Sequence, residues 1–140
     1  MKIPRIVLAG ASSGVGKTSI TCALIYALAK KGFSVQPFKV GPDYIDPSYL
    51  SSVSNNNTFN LDVWLMGKNQ LLDSFIENSK SDISIIEGVM GYYDGFSGDS
   101  NFASTHHVAE LTKSQVILIL DASKTARSIE IGRASCRERV

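Results

Sequence analysis

Residues 11 to 18 read Ala11-Ser12-Ser13-Gly14-Val15-Gly16-Lys17-Thr18, between a largely apolar run, Ile3 to Ala9, and a helix-forming run, Ser19 to Lys31. A strand, a glycine-rich turn and a helix in that order make a phosphate-binding loop. Gly14 and Gly16 permit positive φ and close approach, so the backbone N–H groups from Ser13 to Thr18 can wrap a phosphate. The helix start adds its dipole, Lys17 a cation and Thr18 a hydroxyl for Mg²⁺. The nucleotide-binding set expected from the loop is therefore Ser12, Ser13, Gly14, Val15, Gly16, Lys17, Thr18 and Ser19. Ala11 stands where the usual pattern opens on glycine, which is tolerable if that residue needs no positive φ.

Outward from the loop, strand and helix patterns alternate, which predicts an α/β fold with a parallel sheet covered by helices on both faces. The expected strands are Ile3–Ala9, Ser34–Val40, Ser84–Glu87 and Gln115–Leu120. The expected helices are Thr18–Lys31, Gln70–Asn78 and Ser104–Thr112. The first helix is expected to bury Ile20, Leu24, Ala27 and Leu28, and the second Leu71, Leu72, Phe75 and Ile76. Two prolines are expected to keep Gly41–Pro47 from becoming helical, and the asparagine-rich stretch Ser51–Thr58 reads as a mobile loop. In such sheets ligands sit beyond the carboxyl ends of the strands, where Lys39, Asp43, Glu87 and Asp121 also fall.

Composition narrows the classes. The chain has 140 residues, 44% of them hydrophobic, a net charge of +1 and two cysteines. That is one domain or a large part of one, with no electrostatic case for nucleic acid or membrane as the main partner. No apolar run is long enough to span a bilayer and no signal-peptide layout opens the chain, so the cytoplasm is the expected location. Cys22 falls inside the first helix and reads as a small core residue. Residues 131–140, with Arg133, Arg137 and Arg139 crowded together, read as a foreign or disordered extension; Cys136 lies within it.

The remaining polar residues offer several roles. A hard cation bridging phosphates needs oxygen ligands, which Thr18, Asp43 and Glu87 can supply; Gly88 after Glu87 looks placed to let something approach. Asp43, Asp46 and Asp94 are open between site roles and turn or cap roles. Lys39 is open between a solvated strand-end lysine and a group stabilising transferred negative charge. His106 and His107 are adjacent on a helix, so their side chains diverge by about 100° and do not chelate one ion well. Trp64, Tyr92 and Tyr93 read as core or lid packing before they read as a pocket for a flat ligand.

Taken together, Ala11–Thr18, Lys39-Val-Gly-Pro-Asp-Tyr-Ile-Asp-Pro47, Leu61-Asp62 and Glu87-Gly-Val-Met-Gly-Tyr-Tyr-Asp-Gly95 resemble the amino-terminal ATP-binding domain of the cobyrinic acid a,c-diamide synthase family. The nickel-sirohydrochlorin a,c-diamide synthases of methanogens look nearly the same here. The resemblance covers residues 3 to about 130. It implies a P-loop NTPase-like fold of the dethiobiotin-synthetase type and ATP-dependent amidation of tetrapyrrole side-chain carboxylates through an acyl phosphate. ATP and Mg²⁺ are the implied cofactors, glutamine or ammonia the nitrogen donor. By the same resemblance Thr18, Asp43 and Glu87 hold Mg²⁺; Lys39, Asp46 and Asp94 serve the chemistry; and Tyr44 lines the substrate side.

Members of that family carry a further glutaminase domain, which residues 1–130 do not contain, and the sheet itself is expected to lack its last strands. A free apolar edge at Gln115–Leu120 would then leave a homodimer open. The competing class is a regulatory P-loop ATPase of the partition and cell-division type, which carries a second lysine where Ser12 stands. Dethiobiotin synthetase lacks the Gly-Pro-Asp-Tyr-Ile-Asp-Pro run, and the absence of an Asn-Lys-X-Asp run sets a GTPase aside.

Overall fold

The computed structural model describes residues 1–131. Its elements are β1 (Arg5–Gly10), α1 (Lys17–Lys30), β2 (Val35–Val40), α2 (Asp46–Ser54), β3 (Phe59–Leu61), α3 (Val63–Met66), α4 (Lys68–Asn78), β4 (Ile83–Glu87), α5 (Thr105–Thr112) and β5 (Gln115–Ile119). The strands form one parallel sheet in the order β3-β2-β4-β1-β5. The expectation of a parallel sheet covered on both faces is met, because alternate residues of the central strands feed two separate cores. Val7, Ala9, Phe38, Val40 and Ile86 pack with Val63 of α3, Leu71 and Phe75 of α4, and Val108 of α5. Leu8, Val35 and Ile85 point the other way and meet Ile25 of α1 and Leu50 of α2.

Those two layers position the site. The connection from β1 leaves through α1 on one face, and the connection from β4 leaves through α5 on the other. β1 and β4 are neighbours, so a crevice opens between their carboxyl ends, where open α/β sheets bind ligands. The register places Glu87 opposite both Leu8 and Lys39. Lys39 and Glu87 therefore stand side by side, facing the α1 layer.

Several expectations need correction. The sheet has a fifth strand, β3, that the polar residues before it obscured. Ser51–Thr58 is not a plain loop: Ser51 to Ser54 finish α2, Asn55 takes φ 55° at its end, and the Ser51 and Thr58 hydroxyls lie 2.8 Å apart. Pro47 does not block a helix but sits in its first turn, where a missing N–H costs nothing. On α1 the fully buried positions are Lys17, Thr21 and Ile25, spaced by four; Leu24 and Leu28 pack partly buried against the same core as expected, whereas Ile20 is exposed and Ala27 also faces outward. Likewise α4 buries Leu71 and Phe75 while Ile76 is exposed. The foreign or disordered extension expected at residues 131–140, with Cys136, lies almost wholly outside the described residues.

A proline inside a sheet argues against a central strand, yet β2 is buried at every position and contains Pro37. Pairing with β3 begins only at Phe38, so Pro37 faces a ladder on the β4 side alone. On the other side the Gln36 amide donates to the Pro37 carbonyl (3.0 Å) and to the Asn57 carbonyl (2.7 Å). β5 is an edge among the described strands, pairing with β1, and its Ile117 is 47% exposed. The anticipated open apolar edge is present there.

Candidate phosphate and carboxylate site

The loop after β1 has the backbone its glycines require. Gly14 and Gly16 take φ of 77° and 96°, while Ala11 is not among the positive-φ residues, so its Cβ causes no strain. Gly10 has a different reason to be glycine, since a Cβ there would lie 2.6 Å from Val15 Cγ2. α1 starts at Lys17 with no side-chain cap, leaving its first N–H groups directed at the loop. The Lys17 ammonium donates to the carbonyls of Ser12 (3.0 Å) and Met90 (2.8 Å), tying the phosphate loop to the segment after β4. Burial, and then the nearby charge of Lys39, lowers the Lys17 pKa from its ordinary value.

Beside the loop lies a cluster of charge. Lys39 is 2% exposed, and its ammonium donates to Asp46 Oδ2 (2.9 Å) and to the Gly88 carbonyl (2.9 Å). Glu87 Oε2 is 3.7 Å and Asp43 Oδ2 3.9 Å from the same nitrogen. A buried lysine needs such company, because an uncompensated charge out of water is costly. Burial tends to raise the Asp46 pKa, but the hydrogen bond and charge of Lys39 outweigh it and leave the carboxyl below its usual range. Glu87 is fully buried, and desolvation raises its pKa despite the opposing pull of Lys39 and the Thr18 hydrogen bond. The Thr18 hydroxyl donates to Glu87 Oε1 at 2.5 Å.

Ser13, Lys17, Thr18, Lys39, Asp43 and Asp46 share one cavity of about 410 Å³, closed on one side by Val89 and Met90. Asp94 and Tyr44 stand apart from that wall. Asp94 Oδ2 accepts from Gly91 N (2.9 Å), and a Cβ on Gly91 would fall 2.8 Å from the Ala11 carbonyl, so the Asp94 turn lies against the start of the phosphate loop. Tyr44 is 88% exposed at the rim. Asp43 serves the backbone: its Oδ1 accepts from Ile45 N (2.8 Å) and Asp46 N (3.3 Å) at the start of α2.

Two oxygens beside the loop are suited to Mg²⁺ by their own chemistry. Glu87 Oε2 is buried with no hydrogen-bond partner among the described residues, and Glu87 Oε1 is next to the Thr18 hydroxyl. A carboxylate and a hydroxyl adjoining a phosphate loop suit a hard cation that keeps several waters. The described residues hold no group of three or more acidic, histidine or cysteine side chains arranged around one ion. Thr18 and Glu87 thus fit the cation, whereas Asp43 is turned to capping and to Lys39.

Other expectations find their places. What Gly88 lets approach is α5: a Cβ there would meet Thr105 Cγ2 at 2.7 Å. His106 and His107 diverge, His106 Nδ1 meeting the Tyr92 hydroxyl (3.1 Å) and His107 Nδ1 accepting from Ala103 N (3.1 Å). Tyr92 is a core residue as expected, while Trp64 is 62% exposed. Cys22 is half-buried against the α1 core, where burial, then Glu87 and Asp46, raise its thiol pKa.

Two positioning residues escaped the sequence reading. The Asn60 amide donates to the carbonyls of Gly41 and Asp43, both at 2.8 Å, and so holds the loop that carries Asp43 and Tyr44. Thr105 Oγ1 accepts from Val89 N (3.0 Å) and fixes the segment whose Met90 carbonyl receives Lys17. Asn60 lies within β3 and Thr105 opens α5, and neither carries a local pattern that marks it.

Comparison with known proteins adds identity to this geometry. The family described as CobQ/CobB/MinD/ParA nucleotide binding domain matches residues 6–134, and the chain belongs to it. The chain is 48% identical over 130 residues to the cobyrinate a,c-diamide synthase of Leptospira interrogans, covering 92% of this chain and 29% of that protein. It is 47% identical over 129 residues to the enzyme of the same name from Dehalococcoides mccartyi, covering 91% and 28%. A hydrogenobyrinate a,c-diamide synthase of Streptomyces coelicolor is 44% identical over 128 residues, covering 91% and 26%. The chain therefore spans less than a third of the length of these curated relatives. The likeness to the diamide synthases expected from the four motifs is confirmed.

Proposed function

We propose that this chain carries the ATP-binding, carboxylate-activating part of a corrinoid a,c-diamide synthase. The observation that supports it best is the single cavity shared by the phosphate loop and the Lys39–Asp46 pair. A nucleotide switch needs the loop; a carboxylate kinase also needs a cation beside the γ-phosphate and acids to orient a second substrate. In this reading the loop N–H groups and Lys17 hold the β- and γ-phosphates of ATP. Lys17 leaves the Met90 carbonyl to do so. Lys39, held among its carboxylates, faces the phosphoryl group in transfer and offsets its charge. Asp46 and Asp94 orient the tetrapyrrole acid, with Tyr44 at its edge. Thr18 and Glu87 would hold Mg²⁺, which would supply further neutralisation of phosphate charge.

The reaction balances simply. A side-chain carboxylate oxygen attacks the γ-phosphorus, the bond to ADP breaks, and an acyl phosphate forms. Ammonia, free or drawn from glutamine, attacks the acyl carbon; a proton is lost and phosphate leaves with the former carboxylate oxygen. Such a reaction runs in the cytoplasm, where ATP is supplied. Among the described residues no helix is long and apolar enough to cross a membrane.

The test supplies the chain with ATP, Mg²⁺, ammonium and cobyrinic acid labelled with ¹⁸O in its carboxylates. Formation of the amide with ¹⁸O in the released phosphate is the expected outcome. ATP hydrolysis with no amide and no label in phosphate would instead favour a nucleotide switch. Ser12 speaks against that switch, being an exposed serine where the partition-type ATPases carry a lysine.

A further inference from the structure

On α3 and on the segment between β4 and α5, three aromatic side chains are left facing outward. Trp64 (62% exposed) lies on α3, Phe96 (63%) and Phe102 (39%) on the segment between β4 and α5. Their ring centroids form a continuous row, Trp64 to Phe96 at 5.2 Å and Phe96 to Phe102 at 6.4 Å, and His107 continues it 5.5 Å beyond Phe102. Exposed aromatics at this density are not explained by core packing, and contiguous apolar surface of this kind marks a binding face.

The row is built rather than loose. Asp62 caps α3 by accepting from Trp64 N (2.9 Å) and Leu65 N (3.3 Å), which sets the direction of the Trp64 side chain. Phe96 N donates to the Phe102 carbonyl (2.9 Å), pinning the two rings on one hairpin. A Cβ on Gly95 would fall 2.2 Å from that same carbonyl, so the hairpin closes only with glycine there. Phe96 follows Asp94 by two residues, a reach of about 7 Å at most. Asp94 in turn lies against the phosphate loop through Gly91. The aromatic face thus adjoins the acid assigned to substrate.

We propose that the Trp64–Phe96–Phe102 face receives the apolar face of the tetrapyrrole acid's macrocycle while one of its carboxylates enters the Lys39–Asp46 cavity. This rests on the amidation reading. A broad macrocycle with a polar fringe is matched by tilted aromatic rings that offer face and edge contacts. The fringe of carboxylates is matched by Lys68, exposed at the start of α4 and close enough to His107 to depress its pKa, after burial, by its charge. Trp64 is the chain's single tryptophan, so its fluorescence reports on this face alone.

Cobyrinic acid is titrated into the 140-residue chain holding a non-hydrolysable ATP analogue, followed by calorimetry and tryptophan emission. Binding with a change in Trp64 emission is expected. Trp64→Ala and Phe96→Ala should each weaken it about fivefold or more, with Trp64→Phe recovering most of the loss. Circular dichroism and affinity for the ATP analogue should stay at wild-type values in all three. Cobyrinic acid binding that is unchanged in both alanine variants overturns the aromatic assignment and leaves the amidation reading standing. No binding by the wild-type chain, with the ATP analogue bound, overturns both. An alanine variant that alters oligomeric state in the ultracentrifuge but not cobyrinic acid affinity assigns the face to a protein partner and overturns the proposal.

Discussion

The Thr18 hydroxyl donates to the Glu87 carboxylate across 2.5 Å, joining the first turn of α1 to the carboxyl end of β4. Two residues 69 positions apart thereby meet at the crevice between β1 and β4. Glu87 Oε2, without a hydrogen bond of its own, faces Lys39 at 3.7 Å. This contact joins the phosphate loop to the carboxylate–lysine cluster, and the behaviour of both depends on it.

Removing the metal pair should show as a change in Mg²⁺ linkage. In the wild-type chain, ATP affinity measured by calorimetry should rise on adding Mg²⁺. Thr18→Val, similar in volume but lacking the hydroxyl, should lose most of that rise while ATP binding without Mg²⁺ changes little. An undiminished Mg²⁺ effect in Thr18→Val would remove Thr18 from the metal assignment.

Nucleotide binding should depend on Lys17. Loss of a charge-assisted hydrogen bond, about 1.5–3 kcal/mol, weakens ATP binding roughly 10- to 150-fold. Calorimetry on Lys17→Ala measures this directly, and an affinity equal to wild type would refute the loop reading.

Asp46 and Asp94 should act on chemistry more than on ATP. With ammonia as donor, Asp→Asn at either position should leave the nucleotide Kd within about threefold while lowering kcat. Asp94→Asn keeps an acceptor for Gly91 N, so its fold should survive. A nucleotide Kd that rises in step with the fall in kcat would make them nucleotide ligands.

Glu87 makes stability depend on pH. Its folded-state pKa lies above the ordinary 4.5, because burial disfavours the ionised form. The folded state therefore binds the proton more tightly than the unfolded one. The resulting stabilisation is complete below the unfolded pKa and is lost as pH rises through the folded one. Glu87→Gln lacks that titration. Wild-type Tm relative to Glu87→Gln should accordingly fall as pH is raised from about 4.5 to neutrality. A difference flat in pH would mean that Glu87 is not desolvated as the structure has it.

Cys22 should be a poor nucleophile. Burial, then the charges of Glu87 and Asp46, hold its thiol above the usual value. Alkylation at Cys22 by iodoacetamide, followed by peptide mass spectrometry, should be slow at neutral pH and rise only in alkali. Rapid labelling at neutral pH would contradict that environment.

Much of this was legible in the chain because it is local. A glycine's freedom at Gly14 and Gly16, the lysine and threonine after them, and an apolar run on either side define the loop without reference to distant residues. The alternation of strand and helix and the carboxylate ending β4 are local too. What escaped is where non-local packing overrode pattern. Pro37 sits in a buried strand where β3 begins pairing one residue later and the Gln36 amide donates to its carbonyl. The fully buried line of α1 runs through Lys17, Thr21 and Ile25, so it takes in the loop's own lysine and not only apolar positions.

The sequence by itself determined that this chain holds phosphate at a strand–helix turn, since every atom of that device lies within eight consecutive residues, Ala11 to Thr18. The tertiary structure decided which acids matter to it and how. Lys39, Asp46 and Glu87 are scattered along the chain; parallel pairing in one register and the crossing of α1 and α5 to opposite faces bring them to a single crevice. A lysine at a strand end is ordinarily free in water. Enclosed with three carboxylates it is held in one place, because the cost of burying a charged group is met only by the partners the fold supplies.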